Sequence, residues 1–187
     1  MVKIEASAFL LAALLLLALP FPWVAAALLA GAIHELWHLG AVFLLGGRVL
    51  GVRVAAGGAV MEIIPMPRGK ELLCTLAGPV GSFSLLLLCR CFPRLAICAG
   101  IQGLFNLLPI FPLDGGRALR CFLEMAVPRK GKRVASWAEG VCLAGVLALG
   151  AWMGLWLKLG LAPVAAALLL VAKAIKIPCK YAGFRVQ

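Results

Sequence analysis

The feature that most constrains this chain is Gly31-Ala32-Ile33-His34-Glu35-Leu36-Trp37-His38-Leu39-Gly40, an H-E-x-x-H motif inside a segment otherwise apolar enough to cross a membrane. On a helix, His34 and His38 lie four residues apart on one face, where two imidazoles can share one metal ion. Glu35 between them stands where a general base toward an attacking water belongs. In a soluble helix such a match is often a surface coincidence. In a membrane span the coincidence is costly, because a charged side chain at mid-bilayer costs about 2.5–3.5 kcal/mol even on lenient insertion scales. The chain has two histidines, and both are in this motif.

The 187 residues amount to one domain's worth of chain, expected to form a single integral-membrane unit over 1–187. With 64% hydrophobic and 13% charged residues and a mean hydropathy of +1.08, there is too little polar surface to cover a soluble core. The net charge of +11 is not gathered on one face. The basic residues fall between apolar runs, as membrane topology requires, so no nucleic-acid partner is expected. The seven cysteines form no C-x-x-C pair, and most lie in apolar runs as small hydrophobes. Neither a redox pair nor a cysteine zinc site is expected.

The apolar pattern predicts an all-α polytopic membrane protein of about six transmembrane helices, with a short β-hairpin between the second and third. The spans cover 6–19, 24–45, 71–88, 95–126, 134–156 and 161–177. Ala25-Ala26-Ala27 resembles a signal-peptide cleavage site, but the start has little positive charge and the apolar character runs on past it, so no cleavage is expected. Pro20-Phe21-Pro22-Trp23 breaks the first two spans, and Gly46-Gly47 ends the second. Two β-rich runs within 48–64 flank Gly57-Gly58 and read either as a hairpin able to add a substrate strand or as a plain connection. Gly78-Pro79 in span three loosens that helix and allows close packing. Span four is too long for one crossing and is broken by Asn106-Leu107-Leu108-Pro109-Ile110-Phe111-Pro112-Leu113-Asp114-Gly115-Gly116. Of the eighteen Lys and Arg residues, only Arg90, Arg94 and Lys158 fall outside in a layout with both termini cytosolic, leaving fifteen inside. The polar stretches are too short for an extra soluble domain.

A catalytic zinc site keeps three protein ligands and one open position, so His34 and His38 need a third partner. Glu5, Glu62, Glu71 and Glu124 sit at membrane edges, and Glu139 is expected to pair with Lys132 and Arg133. Asp114, in the broken part of span four, remains. Alone it reads as the N-cap of the helix that follows; beside an H-E-x-x-H lacking its third ligand, it reads as that ligand. Glu35 would take a proton from the attacking water and pass it to the leaving amine. Asn106 reads equally as a hydrogen-bond donor to substrate and as a partner for backbone freed by Pro109.

Together, H-E-x-x-H in span two, Ala77-Gly78-Pro79 in span three and Asn106-x-x-Pro109-x-x-Pro112-Leu113-Asp114-Gly115-Gly116 in span four resemble the site-2 protease family of intramembrane zinc metalloproteases. The resemblance covers the core spans, about 24–126, and three motifs in the right order make it specific. It implies zinc held by His34, His38 and Asp114, Glu35 as catalytic base, and Asn106 contacting substrate. It implies cleavage of a membrane-tethered protein near the cytosolic face of a bacterial plasma membrane, with a regulatory membrane partner or homo-oligomer to be considered. The layout is most similar to the sporulation group that processes a pro-sigma factor; anti-sigma factors are further expected substrates. Two features depart from the family: Ser82 stands where Asn is frequent, and no PDZ or nucleotide-sensing segment is expected. The competing readings are a metal transporter or a non-catalytic relic of the same fold. A transporter would spread ionisable residues along a path, and a relic would have lost Glu35 or a ligand.

Overall fold

The computed structural model describes residues 2–55 and 58–156. The order of elements is β1 (Val2–Ile4), α1 (Ala6–Ala18), α2 (Phe21–Leu44), β2 (Val49–Ala55), β3 (Gly58–Ile63), α3 (Arg68–Ser84) with a 3₁₀ turn at Leu85–Leu88, α4 (Pro93–Asn106), α5 (Asp114–Ala126) and α6 (Gly131–Trp156). The chain forms two compact units that divide at Leu107 and Leu108.

In the first unit, α2 packs against both α3 and α4, and α3 packs against α4. Small residues make these approaches possible: Ala30 and Ala99 are fully buried, in a cluster with Leu85 and Leu95. Without a hydrophobic force between helices in lipid, close backbone contact is what holds spans together. α2 resumes at Phe21 after the Leu19-Pro20 break, and Ala25–Ala27 lie inside it. Its end is a Schellman turn: Gly46 has φ +77°, its N–H donates to the Phe43 carbonyl, and the Gly47 N–H donates to the Val42 carbonyl. Lys70 Nζ donates to the Leu45 carbonyl at 2.9 Å, covering another acceptor that the helix end exposes.

The hairpin expected in 48–64 is present as antiparallel β2 and β3, with an irregularity between Val49 and Gly51 that leaves Leu50 as the extra residue. A third strand was not expected. β1 pairs in parallel with β2, Val2 opposite Val52 and Ile4 opposite Val54, giving the order β1-β2-β3. Three residues are too few to show an alternating pattern above the apolar run that follows them, so this strand is invisible to periodicity.

The second unit contains α5 and α6, which pack together. Arg120 on α5 forms a two-bond ion pair with Glu139 on α6, Nε–Oε1 2.5 Å and Nη2–Oε2 2.6 Å. The Arg120 guanidinium also lies 4.3 Å from the centre of the Phe111 ring. This corrects the expected partner of Glu139: it is Arg120 rather than Lys132 or Arg133. The planar guanidinium matches a carboxylate with two parallel bonds, which a lysine ammonium cannot do.

Among the described residues, three helices are long and apolar enough to cross a membrane: Phe21–Leu44, Arg68–Leu88 and Gly131–Met153. They correspond to expected spans two, three and five, and they make this a membrane protein. Expected span one folds as a helix of 13 residues, short of the roughly 20 needed for a full crossing. Expected span four is two helices of 14 and 13 residues, as its two prolines and two glycines require. Expected span six, 161–177, lies outside the described residues.

Candidate metal centre

Three positions on α3, Cys74, Gly78 and Ser82, recur every four residues and so form one stripe facing α2. The stripe meets both histidines. The His34 imidazole is 1% exposed, and its Nδ1 lies 2.8 Å from Ser82 Oγ, itself fully buried. The His38 Nδ1 lies 2.7 Å from the Cys74 backbone carbonyl. Between these two contacts, a Cβ on Gly78 would fall 2.1 Å from His38 Nε2, and one on Gly81 would fall 2.2 Å from the Trp37 ring. The close packing expected at Gly78-Pro79 is therefore packing against the motif itself. Only glycine leaves room there.

These partners fix which nitrogen of each ring carries the proton. A carbonyl oxygen only accepts, so His38 donates from Nδ1, and in the neutral ring its Nε2 presents a lone pair. Asn106, the last residue of α4, places Nδ2 3.2 Å from His34 Nε2 and donates to it. His34 then also donates from Nδ1, to the Ser82 hydroxyl. The two Nε2 atoms lie 3.2 Å apart, with the ring planes at 83°. At that distance the two nitrogens either share a hydrogen bond or, with neither Nε2 protonated, can hold a cation between them. Nitrogens held by one tetrahedral zinc at about 2.0–2.1 Å stand about 3.3 Å apart, so the pair fits such an ion. Anchoring the far nitrogen of each imidazole is also how metal-binding histidines are generally oriented.

Glu35 follows His34 on α2 and is half-buried, about 100° round the helix from it. In the second unit, Asp114 is buried at 9% exposure in the first turn of α5. It is not the N-cap: that position is Leu113, which makes no side-chain capping bond. A carboxylate in the first turn is favoured by the helix dipole. A Cβ on Gly116 would fall 2.4 Å from the Ile110 carbonyl carbon, so glycine at 116 lets the 110–113 turn fold tightly back on the head of α5. Sequence reasoning singled out Ser82 only as a departure from the family, and it missed both the Ser82 contact with His34 and the Cys74 carbonyl. The spacing of 74, 78 and 82 was the available signal, but it becomes informative only once α3 is known to lie along α2.

A model of peptidase family M50 matches residues 60–149. That match covers a little under half of the chain. The M50 match contains Gly78-Pro79, Ser82, Asn106 and Asp114, and the H-E-x-x-H motif precedes it. A zinc metalloprotease of Methanocaldococcus jannaschii is 31% identical over 106 residues, 49% of this chain. The chain spans 31% of the length of that curated relative. The solved site-2 protease from M. jannaschii has a similar fold, with a TM-score of 0.64 and 21% identity, covering 93% of this chain and 88% of that one.

Proposed function

We propose that this chain is an intramembrane zinc metalloprotease that hydrolyses a peptide bond of a membrane-tethered protein near the cytosolic face. The observation that carries the reading is the pair of Nε2 atoms 3.2 Å apart on one turn of α2, each ring held from behind through Nδ1. The M50 match and the zinc metalloprotease relative support the same chemistry. His34 and His38 would hold zinc with Asp114 as third ligand, a buried carboxylate that completes the nitrogen-and-oxygen donor set.

Bound there, zinc would polarise the scissile carbonyl and acidify the attacking water. Glu35 accepts the proton that the water gives up as its oxygen bonds to the carbonyl carbon. It then delivers that proton to the leaving nitrogen as the carbon–nitrogen bond breaks. Asn106 Nδ2 points toward His34 Nε2, so its amide is close enough to donate a hydrogen bond to substrate oxygen beside the metal. Among the described residues β3 pairs with β2 alone, and its other edge suits an unwound substrate segment added as a strand. The excess of basic residues on one side supports a topology with both termini in the cytosol. A pro-sigma factor is the first substrate to assay within the membrane-tethered class.

The test is zinc content and cleavage of a model substrate by the detergent-purified protein and two variants. Wild type should hold about one zinc, Asp114→Ala should lose most of it, and Glu35→Gln should keep it while cleavage stops. Zinc retained in Asp114→Ala removes that residue from the ligand set. A folded wild type that takes up no zinc removes the protease reading and leaves a non-catalytic relic of the fold.

A further inference from the structure

We propose that Ser82 is a positioning residue: its hydroxyl accepts the His34 Nδ1 proton and so commits the His34 Nε2 lone pair to the metal. The inference rests on the metal-binding reading above and adds to it a residue outside the three family motifs, at the position where this chain departs from the frequent Asn.

Four observations carry it. Ser82 is fully buried, and its Oγ lies 2.8 Å from His34 Nδ1, the length of a good hydrogen bond. In the metal-free site Asn106 Nδ2 donates to the opposite nitrogen of the same ring, using the lone pair that a metal would take in its place, so the proton of the neutral ring sits on Nδ1, facing Ser82. Ser82 is held closely between helices, because a Cβ on Gly103 of α4 would fall 3.1 Å from Ser82 Cβ. Finally, the arrangement differs between the two histidines. His38 is held by a backbone carbonyl, which is present whatever residue occupies position 74. His34 depends on a side chain. Removing the Ser82 hydroxyl would leave a buried N–H without an acceptor and let the ring turn or change tautomer, which presents N–H rather than a lone pair to the metal.

The experiment measures zinc affinity by chelator competition, with melting of the zinc-free protein as a separate readout, in the detergent-purified full chain. Ser82→Ala should bind zinc about 10–100-fold more weakly, the range found when the hydrogen-bond partner of a metal ligand is removed, while the zinc-free form melts close to wild type. Ser84→Ala is the control: it removes a hydroxyl two residues along, which donates to the Gly81 carbonyl, and should leave zinc affinity unchanged. In a His34→Ala background, Ser82→Ala should weaken zinc binding no further. The nitrogen-15 spectrum of the His34 imidazole in zinc-loaded wild type gives a reading independent of any variant, with the proton on Nδ1 and the metal on Nε2. An affinity within twofold of wild type in Ser82→Ala overturns the inference, as does a His34 ring bound through Nδ1. Should Ser82→Ala fail to fold, the nitrogen-15 reading decides alone. Wild type that binds no zinc sinks the metal reading itself, an outcome distinct from wild-type zinc binding that ignores Ser82.

Discussion

At position 78 a single hydrogen is all that stands between α3 and the His38 ring, since a Cβ there would lie 2.1 Å from Nε2. The ring cannot simply move aside, because its Nδ1 is bonded to the Cys74 carbonyl at 2.7 Å. Gly78→Ala should therefore weaken zinc binding at least about tenfold and cost roughly 1–3 kcal/mol of stability by overpacking; chelator competition and thermal melting would read the two effects. Unchanged zinc affinity would mean that α3 shifts freely and does not set the site. His34, Glu35 and His38 were legible in the sequence because ionisable residues in an apolar run have few other reasons to be there. Asp114 was reached by excluding the other acids. Ser82 was not legible, because a buried serine and an exposed one look alike until the helix opposite is known.

At the scale of elements, the amphipathic α5 and the more apolar α6 are joined by a polar contact. The Arg120–Glu139 pair is two-bonded and mostly shielded, with the side chains 25% and 15% exposed, so it resembles a charged hydrogen bond more than a surface ion pair. Glu139→Gln should lower the melting stability by about 2 kcal/mol. Combining it with Arg120→Met, which replaces the pair by apolar packing, should recover part of that loss. A double variant no better than the single one would show that Arg120 serves mainly the Phe111 ring. The break between α4 and α5 and the stop of α2 were readable from proline and glycine. The choice of Arg120 for Glu139 was not, because nineteen residues of sequence separate them and Lys132 and Arg133 lie nearer in the chain.

For the molecule as a whole, the sidedness of charge makes a claim that its own cysteines can check. Cys89 and Cys91 are exposed in the turn between the 3₁₀ segment and α4, which the proposed topology with both termini cytosolic would put on the outer side. A membrane-impermeant maleimide added to intact cells should label these two positions, and replacing both by alanine should abolish that labelling. Labelling of Cys89 and Cys91 only after the membrane is opened would invert the topology and move the proposed site toward the other face. The large apolar side chains left exposed on the first unit, Leu17, Leu44 and Leu87 among them, suit a lipid environment rather than water. Composition alone predicted that much, and no pattern within it predicted how β1 would pair.

The unequal anchoring of the two imidazoles bears on how the chain tolerates change over time. At position 74 the group that steadies His38 belongs to the main chain and survives substitution. Position 82 has no such insurance: one base change that removes its hydroxyl loosens His34. In a library of random variants, position 74 should therefore accept other small side chains that fit its buried place, and position 82 very few.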